Sequence, residues 1–197
     1  MPSLRPGRIL KGAFRRVSRI ARILRFSLLS TNSRVYGKPH RSQPVQFLGA
    51  GTISFGKNVK IGVHSSPGFW TTYCYLESRG QTATIDIGHN TWINNGFSAI
   101  AEKCSIKIGE NCLIGHEVFI VDSNFHCLDP RERHSGGHIS VGNVDIMDNV
   151  FIGSRATILK NTTIGAGSVV AAGAVVSGDF PSNCVIAGNP AIIIRQL

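Results

Sequence analysis

Residues 146–176 have the sequence IMDNVFIGSRATILKNTTIGAGSVVAAGAVV, in which an aliphatic residue returns at every sixth position. These aliphatic residues are Ile146, Ile152, Ile158, Ile164, Val170 and Val176. Four positions after each of the first five comes a small or apolar residue: Val150, Ala156, Thr162, Ser168 and Ala174. A period of six is neither the helical repeat nor the two-residue alternation of one strand. It is typical of a coil of three short flat strands, in which each strand starts with an inward aliphatic residue and small residues form the corners.

The same period occurs earlier in the chain. Phe55-Gly56 and Ile61-Gly62 are six residues apart, and further members follow at Ile87, Ile93, Ala99, Ile108, Ile114 and Ile120. Cys112 stands at the small-residue position, which predicts that its side chain faces the core. Residues 63–84 and 121–145 interrupt the period. Stacked coils bury one continuous aliphatic column, so the repeat predicts an all-β domain over most of positions 50–180.

The net charge of +10 is concentrated at one end of the chain. Residues 1–41 contain eleven of the 21 Lys and Arg residues and no acid, and the first acidic residue is Glu77. The rest of the chain is close to neutral, which argues against nucleic acid as a partner. We therefore divide the chain into a basic amphipathic arm with a linker, residues 1–41, and one folded domain, residues 42–197.

The arm has the pattern of an amphipathic helix. Apolar residues recur at helical spacing from Leu10 to Leu28, and another face carries Arg8, Lys11, Arg15, Arg19 and Arg22. Such a helix suits an anionic membrane surface. The pattern also fits a helix that docks its apolar face on the protein body, or a mitochondrial transit peptide. Residues 30–39 follow as a linker by composition.

Membrane crossing and export are not expected from the sequence. No run of about twenty apolar residues occurs, and the N-terminus lacks the apolar segment of a secretory signal. The five cysteines form no C-x-x-C pair, which indicates reduced thiols. We predict a cytoplasmic protein whose arm attaches it peripherally to the inner face of the membrane.

The I-G-x-x-x-x repeats and the terminal stretch SVVAAGAVVSGDFPSNCVIAGNPAIIIR, residues 168–195, resemble the hexapeptide-repeat acyltransferases. That family includes galactoside, maltose, virginiamycin and serine acetyltransferases and sugar O-acetyltransferases of surface-polysaccharide pathways. The resemblance covers residues 45–197. It implies a left-handed parallel β-helix with a protruding loop at about 121–145, a homotrimer, and acetyl-CoA bound in the groove between neighbouring prisms.

The resemblance also suggests a catalytic base. Residues 122–130, DSNFHCLDP, are similar to the D-[ST]-D-x-H-P-[IL]-D-P segment of the sugar O-acetyltransferase branch, which places His126 at the position of the histidine that deprotonates the acceptor. An imidazole can accept a proton at neutral pH and return it to a leaving thiolate. We predict that Asp122 holds the other ring nitrogen, with Asp129 and Glu132 as alternatives. Nothing marks the Cys127 thiol as activated, and we expect it to be a bystander.

The acetyl-CoA contacts implied by the family fall at small residues near the C-terminus. The matching positions are Gly153, Ser154, Ala156, Ala172, Gly173, Ser177 and Arg195. Two lysines usual in the family are replaced by Gly178 and Ile192, which weakens the case for a phosphate contact there. The corners of the coils require small residues for steric reasons alone. For Gly173, both a steric role at the corner and a contact with acetyl-CoA therefore stay open.

The function implied is acetyl transfer from acetyl-CoA to a hydroxyl of a sugar or glycan, in surface-polysaccharide or glycolipid synthesis. A non-catalytic scaffold that binds membrane or polyanion through the arm is the alternative from another class. A third is a zinc hydratase of the gamma carbonic anhydrase type, but His134 and His138 lack the H-x-x-x-x-H spacing of that site, and we expect no metal. The acceptor, the length of the acyl group and the choice of O- or N-acetylation stay open. The aromatic residues Phe69, Trp70, Tyr73 and Tyr75 either stack on a sugar or pack within the protein.

Overall fold

The computed structural model describes the backbone of residues 6–197 and the side chains of residues 10–197. Residues 1–5 of the arm and the Arg8 side chain lie outside the described residues. The elements in chain order are α1 Pro6–Leu28, β1 Val35–Tyr36, β2 His40–Arg41, β3 Val45–Leu48, β4 Thr52–Phe55, β5 Lys60–Ile61, β6 Cys74–Ser78, β7 Thr84–Ile87, β8 Trp92–Ile93, β9 Ser98–Ala101, β10 Ser105–Ile108, β11 Leu113–Ile114, β12 Phe119–Val121, β13 Val144–Ile146, β14 Phe151–Ile152, β15 Thr157–Ile164, β16 Val169–Val170, β17 Val175–Phe180, β18 Cys184–Gly188 and β19 Ala191–Gln196. No helix among residues 6–197 has the length and apolar character that a membrane crossing needs.

Three faces of parallel strands wind around the domain as a left-handed β-helix. Each coil contributes one strand to face 1, then to face 2, then to face 3. Face 1 contains β1, β4, β7, β10 and β13; face 2 contains β2, β5, β8, β11, β14, β16 and β18; face 3 contains β3, β6, β9 and β12. β15 and β17 each turn one corner and continue from face 3 into face 1, which joins these two faces into an 11-stranded sheet. β19 pairs antiparallel with β18 and ends the coil.

The aliphatic column predicted from the period of six is confirmed. All six aliphatic residues of the opening stretch are buried, and so is Cys112. Equivalent residues stack in register from coil to coil, as Ile93, Ile114 and Ile152 do in neighbouring strands of face 2. Burial of one such side chain contributes about 1.5–3 kcal/mol relative to exposure. The column therefore holds the coils together along their whole length.

The corners depend on left-handed backbone. Between faces 1 and 2 this conformation is taken by Asn58, Asn90, Asn111 and Asn149, with φ between 56° and 60°. Asparagine tolerates this region better than most residues do. Glycine is needed at Gly109 for a different reason, because a Cβ there would lie 2.7 Å from the Asp148 nitrogen of the next coil. The small residues of the period therefore reflect how tightly the coils stack.

Two loops leave the prism at its corners. We call the line of corners between faces 2 and 3 edge 2/3, and that between faces 3 and 1 edge 3/1. Residues 62–73, the aromatic loop, leave edge 2/3 between β5 and β6. Residues 122–143, the histidine loop, leave edge 3/1 between β12 and β13. Both loops fall where the period of six is interrupted.

Helix α1 docks on the domain through its basic side. Arg22 donates from Nη1 to the Phe69 carbonyl at 2.8 Å and from Nη2 to the Thr72 carbonyl at 2.7 Å. The Phe26 ring packs on Tyr73 with 4.3 Å between centroids. Burial lowers the pKa of Arg22. The opposite side of the helix carries an exposed apolar stripe formed by Leu10, Phe14, Val17, Ala21, Leu24 and Leu28. The alternative in which the apolar face docks on the body is therefore wrong.

The segment that composition predicts as a linker contributes two strands to the β-helix. β1 pairs with β4 of face 1, and β2 pairs with β5 of face 2. Two-residue strands bounded by Gly37 and Pro39 have no period of their own, so their pairing partners decide their structure. The paired coils therefore begin at Val35, before the predicted domain boundary at residue 42.

Candidate active site

The histidine loop leaves and re-enters edge 3/1 at one point. Ser123 and Val141 form an antiparallel bridge at its base. The Asn124 amide donates to the Ser140 carbonyl at 3.1 Å, and the Gly142 amide donates to the Asp122 carbonyl at 2.8 Å. These bonds tie the two ends of the loop to each other and leave its central residues projecting from the prism.

A strained turn presents His126 to solvent. Phe125 has φ 59°, a conformation that a bulky side chain adopts only when its surroundings impose it. Its ring lies under the Arg79 guanidinium, 4.9 Å from the ring centroid, and its amide is 3.3 Å from Ser123 Oγ. The His126 amide donates to the Asn124 carbonyl at 2.7 Å, while the imidazole is exposed. The imidazole is thus free to meet a molecule approaching edge 3/1.

Asp122 has a structural task instead of the predicted one. Its carboxylate is fully buried and accepts hydrogen bonds from the backbone amides of Glu102 at 2.7 Å, Lys103 at 3.0 Å and Cys104 at 2.8 Å. These amides form the corner of the preceding coil at edge 3/1. Both carboxylate oxygens are committed there, and neither bonds His126 in the described structure. The prediction that Asp122 orients the imidazole is therefore not supported.

The two alternative carboxylates are also engaged elsewhere. Asp129 pairs with the Arg131 guanidinium, Oδ2 to Nη2 at 2.6 Å, and these side-chain bonds, with the Arg131 amide, lower the pKa of Asp129. The Glu132 Oε2 lies 3.9 Å from the Cys127 sulfur. No described carboxylate of the loop holds His126, so the choice of an orienting group stays open.

Four of the predicted acetyl-CoA residues lie together on edge 2/3. Gly153 and Ser154 form one corner, and Ala172 and Gly173 form the corner stacked on it, joined by a bond from the Gly173 amide to the Ser154 carbonyl at 2.9 Å. Ser154, Ala172 and Gly173 are exposed. Space around Gly173 is open, and only its φ of 72° favours glycine, whereas a Cβ at Gly153 would strike the Ala172 backbone at 2.5 Å. Coil stacking therefore explains Gly153, and the bare backbone at Gly173 remains available to a ligand.

The other three predicted contacts do not add an exposed side chain to this cluster. The Ala156 side chain is fully buried, and its amide donates to the Gly153 carbonyl, so it packs in the core and cannot contact a ligand with its methyl group. Ser177 is exposed where β17 turns edge 3/1. Arg195 is exposed on β19 opposite Val185. The period of six already favours an inward Ala156, because Cys112 occupies the same position of its own six-residue repeat and is also buried.

His126 and the edge 2/3 cluster lie on different edges of one prism. The histidine loop leaves after β12, which is a strand of face 3, and re-enters at β13 on face 1. Gly153 and Gly173 precede face 3 in their coils, at the turns from β14 into β15 and from β16 into β17. Face 3 therefore stands between the two groups of residues. One protomer does not bring them together around a single corner.

His116 is a buried imidazole whose role the sequence does not indicate. Its Nε2 is the single buried side-chain nitrogen or oxygen without a hydrogen bond in the described part of the chain. The Glu117 Oε1 lies 3.5 Å away, a contact that lacks hydrogen-bond geometry. The aromatic loop covers the ring, since a Cβ at Gly68 would be 3.0 Å from Nε2. Within residues 10–197, no group of three or more His, Cys, Asp or Glu side chains is placed to hold a metal ion.

The aromatic residues left open by the sequence have different surroundings. Phe69 is buried, and Tyr73 packs on Phe26 of α1. Tyr75 donates to Glu77 Oε2 at 2.9 Å. Burial, and to a smaller extent this carboxylate, raises the pKa of Tyr75 to about 12. Trp70 remains partly exposed beside Phe69. Packing thus accounts for Phe69, whereas Tyr73 and Trp70 both remain more than a third exposed.

Comparison with protein families gives two matches within the β-helix. The model of the bacterial transferase hexapeptide, with six repeats, matches residues 143–178. The model of the hexapeptide repeat of succinyl-transferase matches residues 105–120. Both matches lie in the coils that flank the histidine loop.

Individual relatives extend the likeness over most of the chain. The putative lipopolysaccharide biosynthesis O-acetyl transferase of Escherichia coli K12 is 33% identical over 160 residues, which cover 78% of this chain and 76% of that protein. A putative acetyltransferase of Schizosaccharomyces pombe is 37% identical over 118 residues, and the match spans 57% of this chain but only 56% of that protein. A solved hexapeptide-repeat acetyltransferase of Vibrio cholerae, complexed with acetyl coenzyme A, superimposes with a TM-score of 0.59 at 32% identity, covering 73% of this chain and 70% of that one.

The structural task of Asp122 can be tested by Asp122→Asn. An amide donates through its nitrogen and cannot satisfy all three backbone amides, so we expect a loss of about 1–3 kcal/mol in the free energy of unfolding. Chemical denaturation at fixed protein concentration measures it. The matched control is Asp129→Asn on the exposed part of the same loop, for which we expect no more than about 0.5 kcal/mol. Equal stability of the two variants would contradict the assignment.

Proposed function

Because this chain belongs to the hexapeptide-repeat acetyltransferases, we propose that it transfers an acetyl group from acetyl-CoA to the hydroxyl of a sugar. The observation that carries the proposal is the position of His126. The repeat is broken at the point where an exposed imidazole is needed, and a strained, tied-down turn holds that imidazole outside the prism. The relatives include an O-acetyl transferase of lipopolysaccharide biosynthesis, which supports a sugar acceptor.

The chemistry requires only one proton carrier. His126 takes the proton of the acceptor hydroxyl as its oxygen attacks the thioester carbonyl carbon. The tetrahedral intermediate collapses, the carbon–sulfur bond breaks, and the departing CoA thiolate receives the proton from the imidazolium. A backbone amide at a coil corner is the simplest donor to the oxyanion. The three cysteines whose pKa is raised by burial, Cys74, Cys104 and Cys112, are unsuited to nucleophilic catalysis.

A homotrimer would complete the site. His126 on edge 3/1 and the edge 2/3 cluster of one protomer are separated by face 3. A groove between two copies can instead combine His126 of one copy with the edge 2/3 cluster of the other. Face 2 offers an apolar surface for such contacts. Trp92, Leu113 and Phe151 occupy the same outward position in three neighbouring strands, and each is nearly half exposed. A row of this kind is typical of a protein–protein interface.

The outward stripe of α1 supports attachment to a membrane surface. Its six apolar residues alternate steps of four and three, and the docked basic side fixes the stripe away from the domain. Lys11 and Arg25 flank the stripe, where they can reach anionic head groups. Three arms on a trimer would multiply a weak surface affinity. We propose that the enzyme works at the cytoplasmic face of a membrane, on a glycan in surface-polysaccharide or glycolipid synthesis.

Replacement of the base tests the chemistry. We expect His126→Ala to lower acetyl transfer by about a hundredfold to ten-thousandfold, because general base catalysis is lost. Release of free CoA thiol measures it, with nucleotide sugars, lipid-linked sugars and simple glycosides as acceptors. His134→Ala, an exposed histidine of the same loop, is the matched control and should retain activity. Full activity of His126→Ala would refute the mechanism, and no acceptor-dependent thiol release by the wild type would favour a scaffold.

The trimer can be tested on face 2. We expect the wild type to have three times the protomer mass of 21.2 kDa by light scattering. Leu113→Glu together with Phe151→Glu should shift it towards the monomer, because buried unpaired carboxylates oppose association. Met147→Glu, a comparably exposed apolar residue at the corner between faces 1 and 2, is the control and should leave the mass unchanged. A wild-type monomer, or a trimer that survives the double substitution, would contradict the assigned interface.

The membrane proposal can be tested by flotation with phosphatidylglycerol vesicles. We expect Phe14→Gln together with Leu24→Gln to weaken binding by about tenfold or more, since two apolar side chains no longer enter the acyl boundary. Leu128→Gln together with Ile192→Gln removes two comparably exposed apolar residues far from the stripe. Identical flotation of both pairs would show that the stripe does not bind membrane.

A further inference from the structure

A hollow of about 370 Å³ lies between α1 and the aromatic loop. One wall is the basic side of the helix, and the other is the outer surface of the loop. The lining residues are Gly12, Arg15, Arg16, Arg19, His64 and Trp70. Three arginines thus line one space.

The cations in the hollow have no partner of opposite charge among the described residues. None of Arg15, Arg16 and Arg19 forms an ion pair or a side-chain hydrogen bond within residues 10–197. No acidic residue precedes Glu77 in the sequence, so the arm supplies none itself. Arg15 and Arg16 stand four and three residues before Arg19, a spacing at which like charges on a helix repel. An anion in the hollow would relieve this repulsion.

The walls are held in place by contacts outside the hollow. Arg22 donates hydrogen bonds to the Phe69 and Thr72 carbonyls, and these bonds anchor the helix to the loop. On the loop side, the His64 ring lies 4.9 Å from the buried Phe69 ring and 5.9 Å from Trp70. The hollow is therefore a gap between two anchored elements, and a ligand has only the arginine side chains to order.

We propose that this hollow binds a phosphate or diphosphate group. Planar guanidinium groups match phosphate oxygens in pairs, and converging arginines are the usual means of holding such an anion. Gly12 opens room beside the helix, and Trp70 offers a flat apolar wall to whatever is attached to the phosphate. The hollow lies on the side of α1 opposite the apolar stripe, about one helix diameter, roughly 10 Å, from it.

Two sources can present this chemistry. One is the head group of an anionic phospholipid, and the other is the diphosphate that activates a sugar in a nucleotide-linked or lipid-linked acceptor. The site does not depend on acetyl transfer or on membrane attachment, because binding of a small anion is measured without acetyl-CoA and in His126→Ala as well as in the wild type. Its failure and that of the proposed function are therefore distinguishable.

The experiment titrates inorganic pyrophosphate into the full-length protein by calorimetry. We expect Arg16→Gln together with Arg19→Gln to weaken binding by about tenfold or more, because two charge-assisted contacts are lost. Lys38→Gln together with Lys57→Gln removes the same charge outside both the hollow and the helix, and should change the affinity by less than about threefold. Far-UV circular dichroism confirms that the helix persists. No binding by the wild type, or equal weakening of both pairs, would overturn the proposal.

A local reporter gives an independent reading. The chain has two tryptophans, and Trp92 lies on face 2, away from the hollow. In a Trp92→Phe background, pyrophosphate should change the emission of Trp70 with the same affinity that calorimetry gives. An anion that binds without changing this emission lies elsewhere and refutes the site.

Vesicles then distinguish the two sources. If the hollow takes a lipid head group, Arg16→Gln with Arg19→Gln binds phosphatidylglycerol vesicles more weakly than the lysine control pair, and pyrophosphate releases the wild type. If it takes the diphosphate of an acceptor, both pairs bind these vesicles equally while pyrophosphate still discriminates between them. Phosphatidylcholine carries no net charge, so both pairs should bind vesicles of this lipid to the same extent. A difference between the pairs on these vesicles would contradict a site that recognises an anionic phosphate group.

Discussion

The parallel stacking of equivalent residues from coil to coil is the constraint on which the rest of the structure depends. Ile93, Ile114 and Ile152 lie directly over one another because each backbone hydrogen-bonds to the next coil in register. Every inward position is thereby occupied by the core, and every flat strand is too short to carry a site of its own. Chemistry is confined to the corners and to the loops that leave them.

The corners meet this constraint in two ways. At some corners the close stacking of coils alone determines the residue, as at Gly109 and Gly153, where a Cβ would strike the next coil. Others are stabilised from outside the repeat. Asp122 caps three backbone amides of the preceding coil at the point where the chain leaves the prism for the histidine loop. The same residue that ends the repeat therefore fixes where the loop begins, and His126 is presented four residues later.

The docking of α1 shows how one helix can satisfy two different surroundings. Its basic side faces the protein, where carbonyl groups of the aromatic loop accept from Arg22 and three other arginines line a hollow. Its apolar side faces outward, where no described part of the protomer covers it. The amphipathic spacing of the residues cannot distinguish this arrangement from its reverse, because both bury one face and expose the other.

The sequence by itself determined the β-helix, the position of its two interruptions, the helical arm and the candidate base His126. The period of six determined the coils and their interruptions because it records burial, which is a local property of each residue type. His126 was instead indicated by the resemblance of residues 122–130 to the sugar O-acetyltransferase segment. Only the tertiary structure decided that Asp122 caps a corner, that residues 35–41 join the sheets and that the arm docks through Arg22 and Phe26 with its apolar stripe outward. Each of these depends on a partner more than ten residues away in the chain or on a left-handed corner. No spacing in the sequence specifies which of several distant groups will be met there.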